Sequence, residues 1–111
     1  MLGHILLKKL SNFDNYIVFD ITKNKENRFN NYDCDVTNFN SLSHIIKKIR
    51  PDYIINCVGI LINGSTIDPS NAILINSLLP HKLLEYSKAV GSKLIHISTD
   101  CVFDGSKGNY I

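Results

Sequence analysis

The chain has 111 residues, 44% hydrophobic and 20% charged, which is ordinary globular usage and excludes a disordered polypeptide. Twelve basic and ten acidic side chains leave a net charge of +2, and the lysines are scattered, so no nucleic-acid-binding stripe is present. Cys34, Cys57 and Cys101 are odd in number and lack C-x-x-C spacing, which argues against a disulfide framework or a zinc site and fits a reducing cytoplasm. No apolar run reaches the ~18 residues of a membrane span. The lysines of the first ten residues follow the apolar ones, the reverse of a secretory signal. One soluble, cytoplasmic domain is expected, without nucleic-acid or membrane partners.

In chain order, Leu2, Ile5, Leu6 and Leu10 fall on one helical face, with Lys8 and Lys9 on another. Residues 12–15 break this helix, and residues 16–19 read as a buried strand ending at Asp20. A polar stretch over residues 22–31 reads as a loop, followed by a short strand around residues 32–36. Asn38 or Asn40 can cap a helix carrying Leu42, Ile45, Ile46 and Ile49, and Pro51 stops it. Lys47, Lys48 and Arg50 sit at its end, where a solvated cation faces a favourable dipole. Residues 53–58 form a continuous apolar strand closed by Gly59, and a loop rich in Gly, Ser and Thr leads to Pro69. Residues 70–90 are helical, with Pro80 either kinking the helix or starting its second half. Gly91 caps it, and residues 94–97 form the last strand.

Strands alternating with helices predict an α/β fold of the Rossmann type, a doubly wound parallel sheet. Such a fold should open on a strand, whereas this chain opens on a helix and stops in a polar segment after a strand. The expectation is a partial domain over residues 1–111, truncated at both ends, lacking its first strand and a C-terminal substrate region. In doubly wound sheets ligands sit at the carboxyl ends of strands, which directs attention to Asp20, Asp35 with Val36, Gly59, and Ser98 with Thr99 and Asp100.

Several strings at these places resemble the extended short-chain dehydrogenases of the dTDP-4-dehydrorhamnose reductase type. Met1, Leu2, Gly3 and His4 look like the tail of a glycine-rich turn, G-x-x-G-x-L-G. Asn56, Cys57, Val58 and Gly59 are similar to the N-[AC]-x-G that ends the fourth strand. Asn76 matches an asparagine of the following helix. Residues 97–105 read I-S-T-D-C-V-F-D-G, close to the family's I-S-T-D-Y-V-F-D-G, with Cys101 in place of the tyrosine. The resemblance spans nearly the whole chain in the right order.

It implies an NAD(P)H-binding oxidoreductase that reduces a 4-keto nucleotide-linked deoxysugar in polysaccharide biosynthesis, a homodimer being possible for the complete protein. Gly3 would let the first helix pack close to the sheet and aim its N-terminus at the pyrophosphate. Asp20 lies 17 residues after Gly3, near the ~20-residue spacing of a ribose-binding acid, or it is a turn former. Lys23, Lys25 and Arg28 follow it and could neutralise a 2′-phosphate, so NADH and NADPH both remain open. Asp35 and Val36 match the position against adenine, although an Asx turn would also account for Asp35. Cys57, Val58, Gly59, Asn76 and Ser98 complete the implied cofactor contacts, while Asn56 and Asn76 could equally brace the loop after their strand.

Thr99 matches the family's catalytic hydroxyl, which donates to the substrate carbonyl oxygen as hydride arrives. Asp100, Cys101 and Phe103 are the implied substrate contacts beside it. No Tyr-x-x-x-Lys is present, so the family's proton donor lies outside these residues. His4, His44, His81 and His96 share no ligand spacing, and no metal is expected. Two further readings stand beside the reductase. One is an epimerase or dehydratase of the same superfamily. The other is a non-catalytic subunit resembling the regulatory subunit of methionine adenosyltransferase, which keeps the fold and acts by association.

Overall fold

The computed structural model describes residues 2–23 and 30–98. Helix α1 (Leu2–Leu10) opens it, with Lys8 and Lys9 in its last turn, where the carbonyl end favours positive charge. Its apolar stripe is only partly used. Leu6, Leu7 and Leu10 are half-buried, whereas Leu2 and Ile5 are exposed.

Strands β1 (Asp20–Thr22) and β2 (Asn31–Asp33) pair in parallel, with Asp20 opposite Asn31 and Thr22 opposite Asp33. The strand expected over residues 16–19 is thus displaced towards its C-terminal end, and Tyr16, Ile17 and Phe19 are exposed, Ile17 at 79%, with Val18 half-buried. A strand exists where a neighbour takes its N–H and C=O groups. The ladder here is three residues long, and residues 16–19 lie outside it. The strand expected over residues 32–36 shortens for the same reason, although the Cys34 N–H still donates to the Thr22 carbonyl at 2.9 Å.

Helix α2 (Phe39–Ile49) begins where Asn38 Oδ1 accepts the Ser41 N–H at 3.2 Å. It ends at Arg50 in the left-handed conformation (φ 48°, ψ 61°), because Pro51 denies the residue before it an α-helical ψ. Leu42 and Ile46 are fully buried and Ile45 and Ile49 half-buried, so the whole stripe faces inward.

Strand β3 (Tyr53–Asn56) pairs in parallel with β4 (Lys93–His96), from Tyr53 opposite Lys93 to Asn56 opposite His96. Parallel neighbours need a crossover. It consists of α3 (Ile62–Ile67), α4 (Pro69–Ile73), a π-helical turn (Leu74–Leu78) and α5 (Leu79–Val90). Helix α3 replaces an expected loop. Its Ser65 joins the helix by bonding back to the Leu61 carbonyl through both its N–H (2.9 Å) and its hydroxyl (3.1 Å), instead of competing with the helix. Asp68 then caps α4 by accepting the Asn71 N–H at 3.0 Å, with Pro69 in the first turn.

Pro80 starts the second half of the helical stretch, in the first turn of α5, one of its two expected places, and no break precedes it. It has no N–H for the Asn76 carbonyl four residues back, and the turn before it widens so that the Leu79 N–H reaches Leu74 instead. Gly91 ends α5 at φ 73°, as expected.

The class is the parallel α/β of a Rossmann-type fold, but among the described residues the four strands form two parallel pairs, β1–β2 and β3–β4. The core joins both pairs to the helices: Cys34, Leu42, Ile46, Leu79 and Leu83 are buried together, with Ile21, Ile54 and Leu94 packed from the strands and Val36 from the turn after β2. Tyr86 of α5 ties to α2 by donating to the Phe39 carbonyl at 3.3 Å.

Candidate functional site

The carboxyl ends of β1, β2 and β3 open on a cleft of about 520 Å³. Ile21, Cys34, Val36, Val58 and Ile75 give it apolar walls, and Thr22, Lys23, Asp35, Thr37 and Asn71 supply polar groups. The volume lies in the range of small-molecule sites, and an apolar surface ringed by a few fixed polar groups suits a flat heterocycle carrying a hydroxylated sugar.

Asp35 is the most constrained of these groups. Its Oδ1 accepts the Thr37 hydroxyl at 2.6 Å and the Thr37 N–H at 3.0 Å, and its Oδ2 accepts Lys23 Nζ at 3.1 Å. The Thr37 hydroxyl, then the Thr37 N–H, then Lys23 stabilise the carboxylate and lower its pKa to about 2. The bond to the N–H two residues on is the Asx turn anticipated for Asp35, and it coexists with a place in the cleft. Beside it, burial first, then the charges of Asp35 and Asp33, push the Cys34 thiol upward, so it stays protonated and packs as a small apolar group.

The expected site residues divide into groups. Asp35, Val36 and Val58 meet in the cleft. Gly3 lies instead against Cys57, where a Cβ on the glycine would stand 3.4 Å from Cys57 Cβ; burial raises the pKa of that thiol. This is the close approach of α1 to the end of β3 that Gly3 was expected to allow. Gly59 and Asn76 are neighbours, with a Cβ at Gly59 falling 3.7 Å from Asn76 Oδ1.

Asp20 is not brought into the cleft. β1 starts at Asp20 instead of ending there, so Ile21, Thr22 and Lys23 reach the cleft while Asp20 lines a second cavity of about 340 Å³ with His4, Lys8, Val18 and Asn31. Its Oδ2 accepts Asn31 Nδ2 at 3.1 Å. Ser98 is exposed just past β4, where the Ile97 N–H donates to the Asn56 carbonyl at 3.0 Å. Thr99, Asp100, Cys101 and Phe103 lie outside the described residues, as do Lys25 and Arg28.

Six lining residues escaped the sequence reading: Ile21, Thr22, Cys34, Thr37, Asn71 and Ile75. Thr37 had a signal, the D-x-T spacing by which a hydroxyl and an N–H converge on one carboxylate oxygen. Asn71 and Ile75 had none, since their place depends on how the crossover returns to the sheet. Among the described residues, no group of three or more His, Cys, Asp or Glu side chains could hold a metal ion, and no helix is long and apolar enough to cross a membrane.

Comparison with known proteins agrees with this fold. The chain is 30% identical to dTDP-4-dehydrorhamnose reductase of Escherichia coli (strain K12) over 105 residues, 94% of this chain and 33% of that protein. It therefore spans about a third of the length of the curated relatives it matches. The crystal structure of a hypothetical dTDP-4-dehydrorhamnose reductase from Sulfolobus tokodaii superposes with a TM-score of 0.88 at 35% identity, over 99% of this chain and 40% of that one. The dTDP-4-dehydrorhamnose reductase of Bacillus anthracis, solved in complex with NADP, matches with a TM-score of 0.77 at 27% identity, over 96% of this chain and 35% of that one. A family model described as the RmlD substrate binding domain matches residues 1–111, the full chain. With sequence, fold and family model in accord, the chain belongs to the RmlD substrate binding domain family.

Proposed function

We propose that this chain forms the NAD(P)H-binding part of a reductase acting on a 4-keto nucleotide-linked deoxysugar, the activity for which its relatives are named. The observation that carries the reading is the cleft at the ends of three strands, where Asp35, Val36 and Val58 stand together. Its apolar walls fit an adenine, and Asp35 and Lys23 on the rim fit the hydroxyls or a phosphate of its ribose. The nicotinamide, when bound, supplies the hydride that goes to the keto carbon.

The residues of this chain do the rest of what is assigned here. Gly3 brings the start of α1 close to the end of β3, where its free N–H groups favour a pyrophosphate. Cys57, Val58 and Gly59 carry the loop along the cofactor, with Ser98 on the neighbouring strand end. Asp20 is kept as a second ribose-side carboxylate, reached from the other cavity. Thr99 donates its hydroxyl to the carbonyl oxygen as negative charge develops there, with Asp100, Cys101 and Phe103 beside the sugar. The proton that completes the alcohol comes from a group other than a Tyr-x-x-x-Lys pair of these residues, since none is present.

The test is made in the protein at its full natural length, with NADPH or NADH and a dTDP-4-keto-6-deoxyhexose. Thr99→Val keeps the side-chain shape and removes the hydroxyl, so kcat should fall ~10²–10³-fold with cofactor affinity nearly unchanged. Thr99→Ser should retain much of the rate, and Ser98→Ala should be milder than Thr99→Val. Absence of turnover in the wild type, with tight association to another enzyme instead, would replace the reductase reading by that of a regulatory subunit.

A further inference from the structure

The last rung of the β3–β4 ladder sets Asn56 opposite His96. Asn56 is 3% exposed, and both ends of its amide are engaged. Its Oδ1 accepts the Val58 N–H at 3.1 Å, and its Nδ2 lies 3.1 Å from His96 Nδ1. A main-chain N–H is always a donor, so the atom facing Val58 is the amide oxygen and the atom facing His96 is the NH₂. His96 Nδ1 must therefore accept. That fixes the ring as the neutral tautomer with its proton on Nε2. His96 is exposed, which leaves the ring open to protons of the solvent.

Protonation would turn Nδ1 from an acceptor into a donor. The Val58 N–H and the His96 Nδ1–H would then converge on an amide with a single oxygen. Bonds from an ionised donor are the stronger ones, so the amide would turn over and give that oxygen to His96. Its NH₂ would then face the Val58 N–H, which is left without an acceptor. Val58 lines the cleft, and Cys57 beside it packs against Gly3 at the start of α1. The amide thus has two settings, one that holds the loop after β3 and one that holds the histidine. Of the ionisable groups on the elements packed against β4, Asp52 and Tyr53 stand at the far end of the ladder and Cys57 follows Asn56. On α5, Lys82 pairs with Glu85 at 3.3 Å, Tyr86 donates to the Phe39 carbonyl, and His81 and Lys88 stand near either end. Among the described residues, the bond to Asn56 is the one made by the His96 ring.

We infer that His96 is a positioning residue that acts through Asn56. While neutral, it leaves the Asn56 oxygen to the Val58 N–H, and the cleft wall stays in its binding place. When charged, it takes that oxygen and releases the wall. The inference rests on the NAD(P)H reading of the cleft. Its sign follows from the geometry: the cofactor binds the held loop, and the held loop requires a neutral ring, so cofactor and proton oppose each other. Affinity therefore falls as the medium turns acid over about pH 8 to 5, the range in which histidine gains its charge.

The experiment follows the protection of the Val58 amide against hydrogen exchange, and the affinity for NADH, from about pH 8 to 5 in the full-length protein. NADH is the probe because a phosphate monoester, as at the 2′ position of NADPH, changes charge in the same range. Protection, corrected for the intrinsic pH dependence of exchange, should fall with acid. NADH should bind about five- to tenfold more weakly at the acid end, the worth of one hydrogen bond. His96→Asn sets a non-titrating amide oxygen near the place of Nδ1, so it should retain most of the neutral affinity and lose the pH dependence. His96→Phe, which neither accepts nor donates there, should lose the pH dependence too, and it serves should His96→Asn not fold. Wild-type pH dependence in either variant, or Val58 protection that stays flat in the wild type, would overturn the inference. Protection that falls with acid while NADH affinity stays constant would reduce the pair to a structural brace and overturn the positioning role. If the wild type binds neither NADH nor NADPH at any pH, the functional reading fails and the positioning role falls with it. Acid-sensitive Val58 protection in the wild type, absent from His96→Asn, would still establish the two settings of the amide.

Discussion

Replacing Gly59 with alanine separates a glycine needed by the fold from one needed by a ligand. Gly91 is the glycine with positive φ among the described residues, so Gly59 holds a backbone conformation open to any L-residue. A Cβ there meets Asn76 Oδ1 at 3.7 Å, an ordinary van der Waals distance. The free protein should therefore accept Gly59→Ala without strain, and the narrower unfolded ensemble should add about 0.4–1 kcal/mol. For a domain of this size that is a rise in Tm of about 2–6 °C. The bound state should differ. A methyl group placed where a cofactor lies against the backbone costs about 1–3 kcal/mol in overpacking, or roughly five- to 100-fold in Kd. The assay pairs a thermal melt with an NADPH titration on the full-length protein. A stable variant that binds NADPH as tightly as the wild type would refute the close approach. A Tm lowered by about 10 °C would show that the loop itself has no room.

The other predictions concern the core and the charged rim. Leu79 is 1% exposed among the helices, so Leu79→Ala should cost about 2–5 kcal/mol in a denaturant melt, and Leu79→Met under ~1.5 kcal/mol. Asp35 has a folded pKa of about 2, below its ordinary 3.8, so its stabilising contribution is complete above the ordinary value and lost as pH falls through about 2. Asp35→Asn should flatten the acid limb of a stability-versus-pH curve over that window and lower stability at neutral pH by the same amount, a small one because the carboxylate is well solvated. Lys23 lies on the cleft rim and Asp20 does not, so Lys23→Ala should lower the NADPH/NADH ratio of kcat/KM more than Asp20→Ala raises it. An unchanged ratio in Lys23→Ala would take the 2′-phosphate away from this side chain.

Features set by local chemistry were legible in the sequence. The α2 stripe, the Asn38 cap, the stop at Pro51 and the Gly91 terminus each depend on a few adjacent residues, and each stands where periodicity and capping placed it. Features set by pairing were not. Residues 16–19 carry every β-forming preference, yet a ladder needs a second chain segment in register, and β2 begins opposite Asp20. The widened turn before Pro80 was half visible: proline announces a missing donor, but not which longer bond replaces it. At the site, Asp35, Val36 and Val58 were found because strand ends are where ligands sit. Asp20 fell outside the cleft because β1 begins at it instead of ending there, and where a strand begins follows from its pairing register, which a single sequence does not contain. The bonds of Asn76 to the Ile60 main chain, N–H to Oδ1 and Nδ2 to carbonyl, are the brace of the loop that the sequence suggested, although which residue it holds was not legible.

The division of the strands into two pairs also bears on how the chain opens and closes in solution. The β3–β4 ladder is four residues long and flanks the α2–α5 core, whereas β1–β2 has three residues and α1 contains no buried residue. Protection against amide exchange tracks buried apolar packing, and regions poor in it open with free energies near zero. Amides of α2, α5 and β3–β4 should thus exchange last and together, as one cooperative unit, with α1 exchanging first and β1–β2 in between. The cleft lies across that boundary, since Thr22 and Lys23 come from the labile pair and Val58 and Ile75 from the protected unit. A ligand bridging the two would slow exchange most in β1–β2, far more than in the helices that are already rigid, so the imprint of binding would appear in the dynamics of the weaker pair.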